Sequence, residues 1–173
     1  MAIAVEWVVA AQSGDAEAFG RLARAELPAA YRLALSIVRS PAEAEDAVQD
    51  AFLRAWRDVG QLRSADLWPA WFRRLTVRAA IDQTRRRRVR VVDIEAAEEQ
   101  AAADDLGLVA DRLALTAGFG RLRAEDRAII ALRFLEDLEV PDVAASLGIP
   151  LGTAKSRLHR ARRRLEDEMR RQT

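Results

Sequence analysis

Apolar residues recur along this chain at steps of three and four, and no segment alternates with a period of two, so the pattern predicts helices and no sheet. Trp7, Val8 and Ala11 open the series, Ser13-Gly14-Asp15 breaks it, and Ala18, Phe19, Leu22 and Ala23 resume it, as two short helices or one interrupted helix. Pro28 then marks the start of a helix whose buried side carries Tyr31, Leu33, Ala34, Ile37 and Val38. Ser40-Pro41-Ala42-Glu43 is a stronger start signal, with Ser as N-cap, Pro at the first helical position and Glu three residues after the cap. The helix it opens should reach about Val59, with Ala44, Ala47, Val48, Ala51, Phe52 and Ala55 inside and Glu45, Asp46, Gln49, Asp50, Arg54 and Arg57 outside. After a polar loop from Gly60 to Asp66, the residues Leu67, Trp68, Trp71, Phe72, Leu75 and Ile81 predict an aromatic-rich helix. Further on, Leu113, Leu115, Phe119 and Leu122 precede a helix carrying Ile129, Ile130, Leu132, Phe134 and Leu135.

The pattern is sharpest from Leu138 to Glu166. Val140, Val143, Ala144 and Leu147 form one helical stripe, Gly148 and Pro150 end it, and Leu151, Ala154, Leu158, Ala161 and Leu165 form the next. Thr153, Lys155, Ser156, Arg157, His159 and Arg160 are left on the outer surface of the second helix. A short cationic helix held by a preceding one has the form of a DNA-reading helix-turn-helix, whose hydroxyls meet phosphates and whose Lys and Arg reach guanine edges. The plainer reading of the same residues is a solvated basic face on a bundle helix.

Charge divides the chain although the formal total is only +1. Five arginines fall between Arg85 and Arg90, seven acids and no base between Val91 and Asp111, and six bases and no acid between Lys155 and Arg164. The middle stretch is Ala-rich with few large apolar residues, the composition of a flexible tether. Its 21 residues could extend to roughly 70 Å. The acids on the helix from Pro41 favour its dipole, which is their bland explanation. Trp71 and its neighbours, normally core residues, share a helix with Arg73, Arg74 and Arg78, and aromatic rings beside guanidinium groups can accept unstacked bases.

The chain contains no cysteine, which removes disulfides, thiol catalysis and zinc-thiolate sites from it. The single histidine lies on the basic helix, Gly118-Phe119-Gly120 lacks the third glycine of a dinucleotide fingerprint, and no Walker-type GK[ST] occurs. Asp46 and Asp50 share a helix face without a histidine beside them. No enzyme, metal site or cofactor is therefore expected. No apolar run approaches the roughly 20 residues of a membrane span, and the expectation is a soluble cytoplasmic protein.

Three segments carry more than pattern: EAEDAVQDAFLRAW (Glu43 to Trp56), PAWFRRLTVRAAID (Pro69 to Asp82) and LGIPLGTAKSRLHRARRRLE (Leu147 to Glu166). In this order, with a tether between them, they resemble the bacterial extracytoplasmic-function (ECF) sigma factors of RNA polymerase. The resemblance implies an all-α protein of two small helical domains joined by a flexible linker. Residues 1–90 would be region 2, a helical bundle that binds core polymerase and the −10 element. Residues 91–111 would be the linker, and residues 112–173 region 4, a helix-turn-helix that binds the −35 element and the polymerase flap. It further implies that Asp46, Gln49, Asp50, Leu53 and Trp56 meet the polymerase clamp. Arg63, Ser64, Trp71, Arg74, Arg78, Arg85 and Arg86 would handle the melted −10 strand, and Thr153, Lys155, Ser156, Arg157, His159 and Arg160 the −35 major groove. Partners would be core polymerase, promoter DNA and an anti-sigma factor that covers the polymerase-binding faces, with no small-molecule substrate. Arg78 stands where the family helix often has Asn, and Glu139 where it commonly has a Ser cap. A stand-alone helix-turn-helix regulator is the alternative, but it leaves the acidic motif and the aromatic-arginine helix without a role.

Overall fold

The computed structural model describes residues 5–92 and 118–171, so most of the expected linker, and Arg112, Leu113 and Leu115, lie outside the described residues. Every described element is helical. Helices α1 (Val5–Gln12), α2 (Ala16–Val38), α3 (Pro41–Asp58) and α4 (Trp68–Val92) form the first group, with two 3-10 turns at Val59–Gln61 and Ala65–Leu67 before α4. Residues 118–121 are helical, followed by α5 (Ala124–Ile130), a π-helical turn at Ala131–Leu135, α6 (Val140–Leu147) and α7 (Leu151–Arg170).

The boundaries follow from local chemistry. Gly14 has φ +91°, a conformation costly for a side chain, and Asp15 caps α2 by accepting from the backbone N–H groups of Glu17 (2.9 Å) and Ala18 (3.0 Å). Pro28 does not start a helix: α2 runs through it without interruption. The proline is exposed and so is Arg24, whose carbonyl loses its helical partner to the proline ring, so water can satisfy that carbonyl. At α3 the Ser40 hydroxyl accepts from the Glu43 N–H at 3.4 Å, as the capping pattern predicts, while the Glu43 carboxylate lies 3.7 Å from Arg87 on α4. Ala44, Ala47, Ala51 and Ala55 are fully buried, and four alanines on one face let α3 approach its neighbours closely.

Behind them sits an aromatic cluster. Phe52 stacks on Phe72 at 4.7 Å and Phe72 on Trp68 at 5.4 Å, so Trp68 and Phe72 are core residues, whereas Trp71 is half-buried beside them. Leu67, one of the residues that predicted this helix, lies in the 3-10 turn before it and is exposed.

The second group packs directly on the first, and their buried side chains belong to one hydrophobic cluster running from Val8 to Ala161. Helices α2 and α4 meet α5 and α6. The Arg127 guanidinium, 4% exposed, donates to the carbonyls of Gly120 (3.1 Å) and Leu122 (2.7 Å) in its own segment and of Ile37 (2.6 Å) near the end of α2. Arg73 faces Glu136 at 3.6 Å, and Glu26 accepts from the Trp68 indole at 3.0 Å close by. Burial pushes the Glu26 carboxyl above its ordinary value, opposed by the Trp68 hydrogen bond and Arg73 and reinforced by Glu136. A carboxyl raised in the folded state contributes stability below its unfolded pKa and loses it as pH rises through the folded one. Glu26→Gln, which keeps an acceptor for the indole without the charge, is expected to flatten this pH dependence and to be more stable than wild type at neutral pH. Urea unfolding from pH 4 to 8 checks it, and parallel curves for the two proteins would refute it.

Candidate functional site

Two surfaces stand out. The first is a groove of about 630 Å³ between α2 and α3, lined by Phe19, Leu27, Tyr31, Val48, Phe52, Leu53 and Trp56, with Glu45, Asp46 and Gln49 at its edge. Leu53 is 64% exposed and Trp56 41%, and Leu27 is exposed beside them. Large side chains are held half out of the core here because Phe19 braces Trp56 edge-on at 5.0 Å and is itself braced by Trp68 at 6.1 Å. An apolar floor with an acidic rim is the anatomy of a protein-docking surface. Four of the five residues expected at the clamp, Asp46, Gln49, Leu53 and Trp56, line this groove. Asp50 does not: its carboxylate is half-buried and binds Arg54 at 2.7 Å, and Arg54 also reaches Asp82 on α4 at 3.3 Å. That contact ties α3 to α4.

The second is a cationic cavity of about 730 Å³ where α4 and Arg54 face α5, α6 and α7. The residues assigned to the −10 strand divide around it. Arg78 and Arg85 line the cavity, and Arg85 pairs with Glu125 of α5 at 3.3 Å. Arg74 and Arg78 point at the turn between α6 and α7, within 3.6 Å of where a side chain on Gly148 would begin. The Arg74 Nε is buried without a hydrogen-bond partner. Trp71 lies against Trp68 at 5.6 Å, and Arg63, Ser64 and Arg86 are exposed, with the Ser64 hydroxyl bonded to Asp66.

The helix-turn-helix forms as predicted. Gly148 closes α6 in the left-handed conformation (φ +65°), its N–H donating to the carbonyls of Ala144 and Ala145. Pro141 starts α6 without a side-chain cap from Glu139. On α7, Ala154 and Ala161 are buried and Leu158 and Leu165 half-buried, but Leu151, expected in the stripe, is exposed because it is the first residue of the helix. The residues assigned to the −35 groove split between two faces. Arg157, half-buried, and Arg160, exposed, line the cavity, while Lys155, Ser156 and His159 are exposed away from it and Thr153 is half-buried. Arg164, further along, bonds the buried carboxylate of Asp126.

Sequence reasoning missed two features. Phe134, 58% exposed, and Leu135 leave the core because the segment from Ala131 closes i→i+5, with the Glu136 N–H donating to the Ala131 carbonyl at 3.0 Å, and the extra residue per turn rotates them outward. Gly118 and Gly120 serve packing: Gly118 lies against Leu165, Glu168 and Met169 of α7, and the Arg39 guanidinium occupies the space where a Gly120 side chain would be. Among the described residues, no group of three His, Asp or Glu side chains is placed to hold a metal, and no helix is long and apolar enough to cross a membrane.

Comparison with known proteins gives a consistent picture. The sigma-70 region 2 family matches residues 22–90, and the sigma-70, region 4 family matches residues 112–165. The ECF RNA polymerase sigma factor SigM of Mycobacterium tuberculosis is 34% identical over 92% of this chain and 81% of its own length. The RNA polymerase sigma-E factor of Streptomyces antibioticus is 30% identical over 90% of this chain and 87% of its own. Among solved structures, the sigma factor RpoE in complex with the anti-sigma factor NepR from Bartonella quintana superposes with a TM-score of 0.68 at 29% identity, covering 88% of this chain and 96% of that one.

Proposed function

The chain belongs to the ECF sigma factors of the sigma-70 family, and from that premise we propose that it brings core RNA polymerase to promoters through the two surfaces just described. It is an RNA polymerase sigma factor whose partners are core polymerase, promoter DNA and an anti-sigma factor. The observation that carries the assignment of surfaces is the groove between α2 and α3. Four of the five residues chosen there by resemblance converge on one exposed apolar floor with an acidic rim, and the aromatic cluster braces it. In this reading the groove receives the polymerase clamp, with Trp56 and Leu53 as apolar anchors and Asp46 and Gln49 as polar contacts at the rim. The exposed pair Phe134 and Leu135 on the π-helical turn is the contact for the polymerase flap.

On the DNA side, Trp71, Arg74, Arg78, Arg85 and Arg86 on α4, with Arg63 and Ser64 before it, hold the melted −10 strand by stacking and phosphate contacts. Lys155, Arg157, His159 and Arg160 on α7 read the −35 major groove, with Thr153 and Ser156 on phosphates. Residues 1–90 and 112–173 act as separate units on the two elements, joined by residues 91–111. The protein works in the cytoplasm, where its polymerase is, and supplies positioning and strand capture without a catalytic step of its own.

Run-off transcription from a genomic promoter library with core polymerase tests the reading. Specific initiation is expected from wild type and at least a tenfold loss from the double variant Asp46→Ala/Leu53→Ala, which leaves the Asp50–Arg54–Asp82 contact intact. If wild type initiates nowhere yet retards duplex DNA without polymerase, the protein is a stand-alone helix-turn-helix regulator.

A further inference from the structure

The cationic cavity between the two helical groups has a composition that its ion pairs do not account for. Seven arginines and three carboxylates line it, an excess of four positive charges. Each carboxylate is taken: Asp82 by Arg54, Glu125 by Arg85 and Asp126 by Arg164. Arg78, Arg123, Arg157 and Arg160 have no ion pair among the described residues; Arg157 is half-buried and the other three are exposed, and all four line one half-open cleft of about 730 Å³. Four like charges gathered around one cleft repel one another, and an anion seated between them relieves that repulsion.

The planar guanidinium fork matches the spacing of phosphate oxygens, and several forks facing one space suit an anion with several linked phosphates better than a single one. The volume lies in the range of small-ligand pockets, roughly 300–1,000 Å³, and is walled by helices on both sides. We propose that this cavity binds an oligophosphate chain, as found in inorganic triphosphate or the polyphosphate tail of a nucleotide, and that the bound anion holds the two helical groups together. Arg78 comes from the first group and Arg123, Arg157 and Arg160 from the second, so one ligand bridges both. The consequence for transcription rests on the promoter reading above: Arg78, Arg157 and Arg160 are then turned to the ligand and withheld from DNA.

The test uses the full chain without DNA or polymerase, so its outcome is separate from that of the run-off experiment. Inorganic triphosphate is titrated calorimetrically into wild type and into Arg123→Gln, a residue given no part in promoter or polymerase contact. Spin labels on Ala16→Cys and Ala145→Cys, introduced into a chain with no native cysteine, report the distance between the groups. Expected are saturable binding by wild type, a loss of about tenfold or more in Arg123→Gln, and a label-distance distribution that sharpens around the packed arrangement on adding triphosphate. ATP in a parallel arm is expected to bind at least as well, since it carries the same chain. Absence of saturable binding, equal binding by Arg123→Gln, or a label-distance distribution indifferent to triphosphate would each overturn the proposal.

Discussion

Arg127→Ala is expected to lower the unfolding free energy by about 3–5 kcal/mol, since it strips a charged donor from three buried carbonyls and leaves a cavity. The carbonyls belong to Gly120, Leu122 and Ile37, at 3.1, 2.7 and 2.6 Å, so one side chain fastens the start of the second helical group and joins it to the end of the first. Ile37 lies in the last turn of α2, one residue before its end, where carbonyls have no helical partner and the helix dipole favours a cation. The residue after the helix, Arg39, adopts the left-handed conformation (φ +65°) that ends it and turns the chain toward α3. Urea denaturation measures the loss, and a midpoint lowered by roughly 10 °C in a thermal scan accompanies it. Arg127→Lys, which keeps the charge but cannot span three acceptors, falls between the two. A variant within about 0.5 kcal/mol of wild type would mean that the carbonyls find water and that the contact does not hold the groups together.

Trp56→Ala is expected to weaken binding to core polymerase by at least 2 kcal/mol, about thirtyfold in the dissociation constant. An aromatic side chain 41% exposed at the centre of an apolar groove, held edge-on by Phe19, is pre-organised to be covered by a partner. The cost to folding is small by comparison, because Phe19 keeps its second contact with Trp68. Equilibrium binding to labelled core polymerase, with urea unfolding as control, separates the two effects. Unchanged affinity with unchanged stability would remove the groove from the polymerase interface.

Much of this architecture is legible along the chain because the determinants are local. Asp15 and Ser40 cap the helices they precede, Gly148 ends α6, and the alternation of Ala154, Leu158, Ala161 and Leu165 sets the inner side of α7. The misreadings share another origin. Pro28 carries a start signal that an exposed helix overrides, and Phe134 and Leu135 follow a 3.6-residue period that the π-helical turn interrupts. Asp50 looked like a surface acid because its partner Asp82, through Arg54, is 32 residues away. The groove was legible as a set of residues through family resemblance, while its shape depended on how Phe19 meets Trp56 across two helices. The meeting of the two groups was not legible at all. Arg127 and Ile37 are 90 residues apart, and an arginine that follows Glu125 and Asp126 in α5 gives no hint of which carbonyl it will find.

The pairing of arginines with acids along the cleft between the two helical groups also bears on how such a chain travels through a cell crowded with chromosome. Attraction to the phosphate backbone depends on the number of cations that can reach it at once, each contributing about 0.9 to the steepness of the salt dependence. Genomic DNA offers roughly 10⁶–10⁹ competing sites, so a protein with every arginine outward would spend its time on irrelevant sequence. With Arg85 and Arg164 held by the acids of α5, part of this chain's charge is neutralised internally, and fewer of its cations are free for the DNA it meets before polymerase.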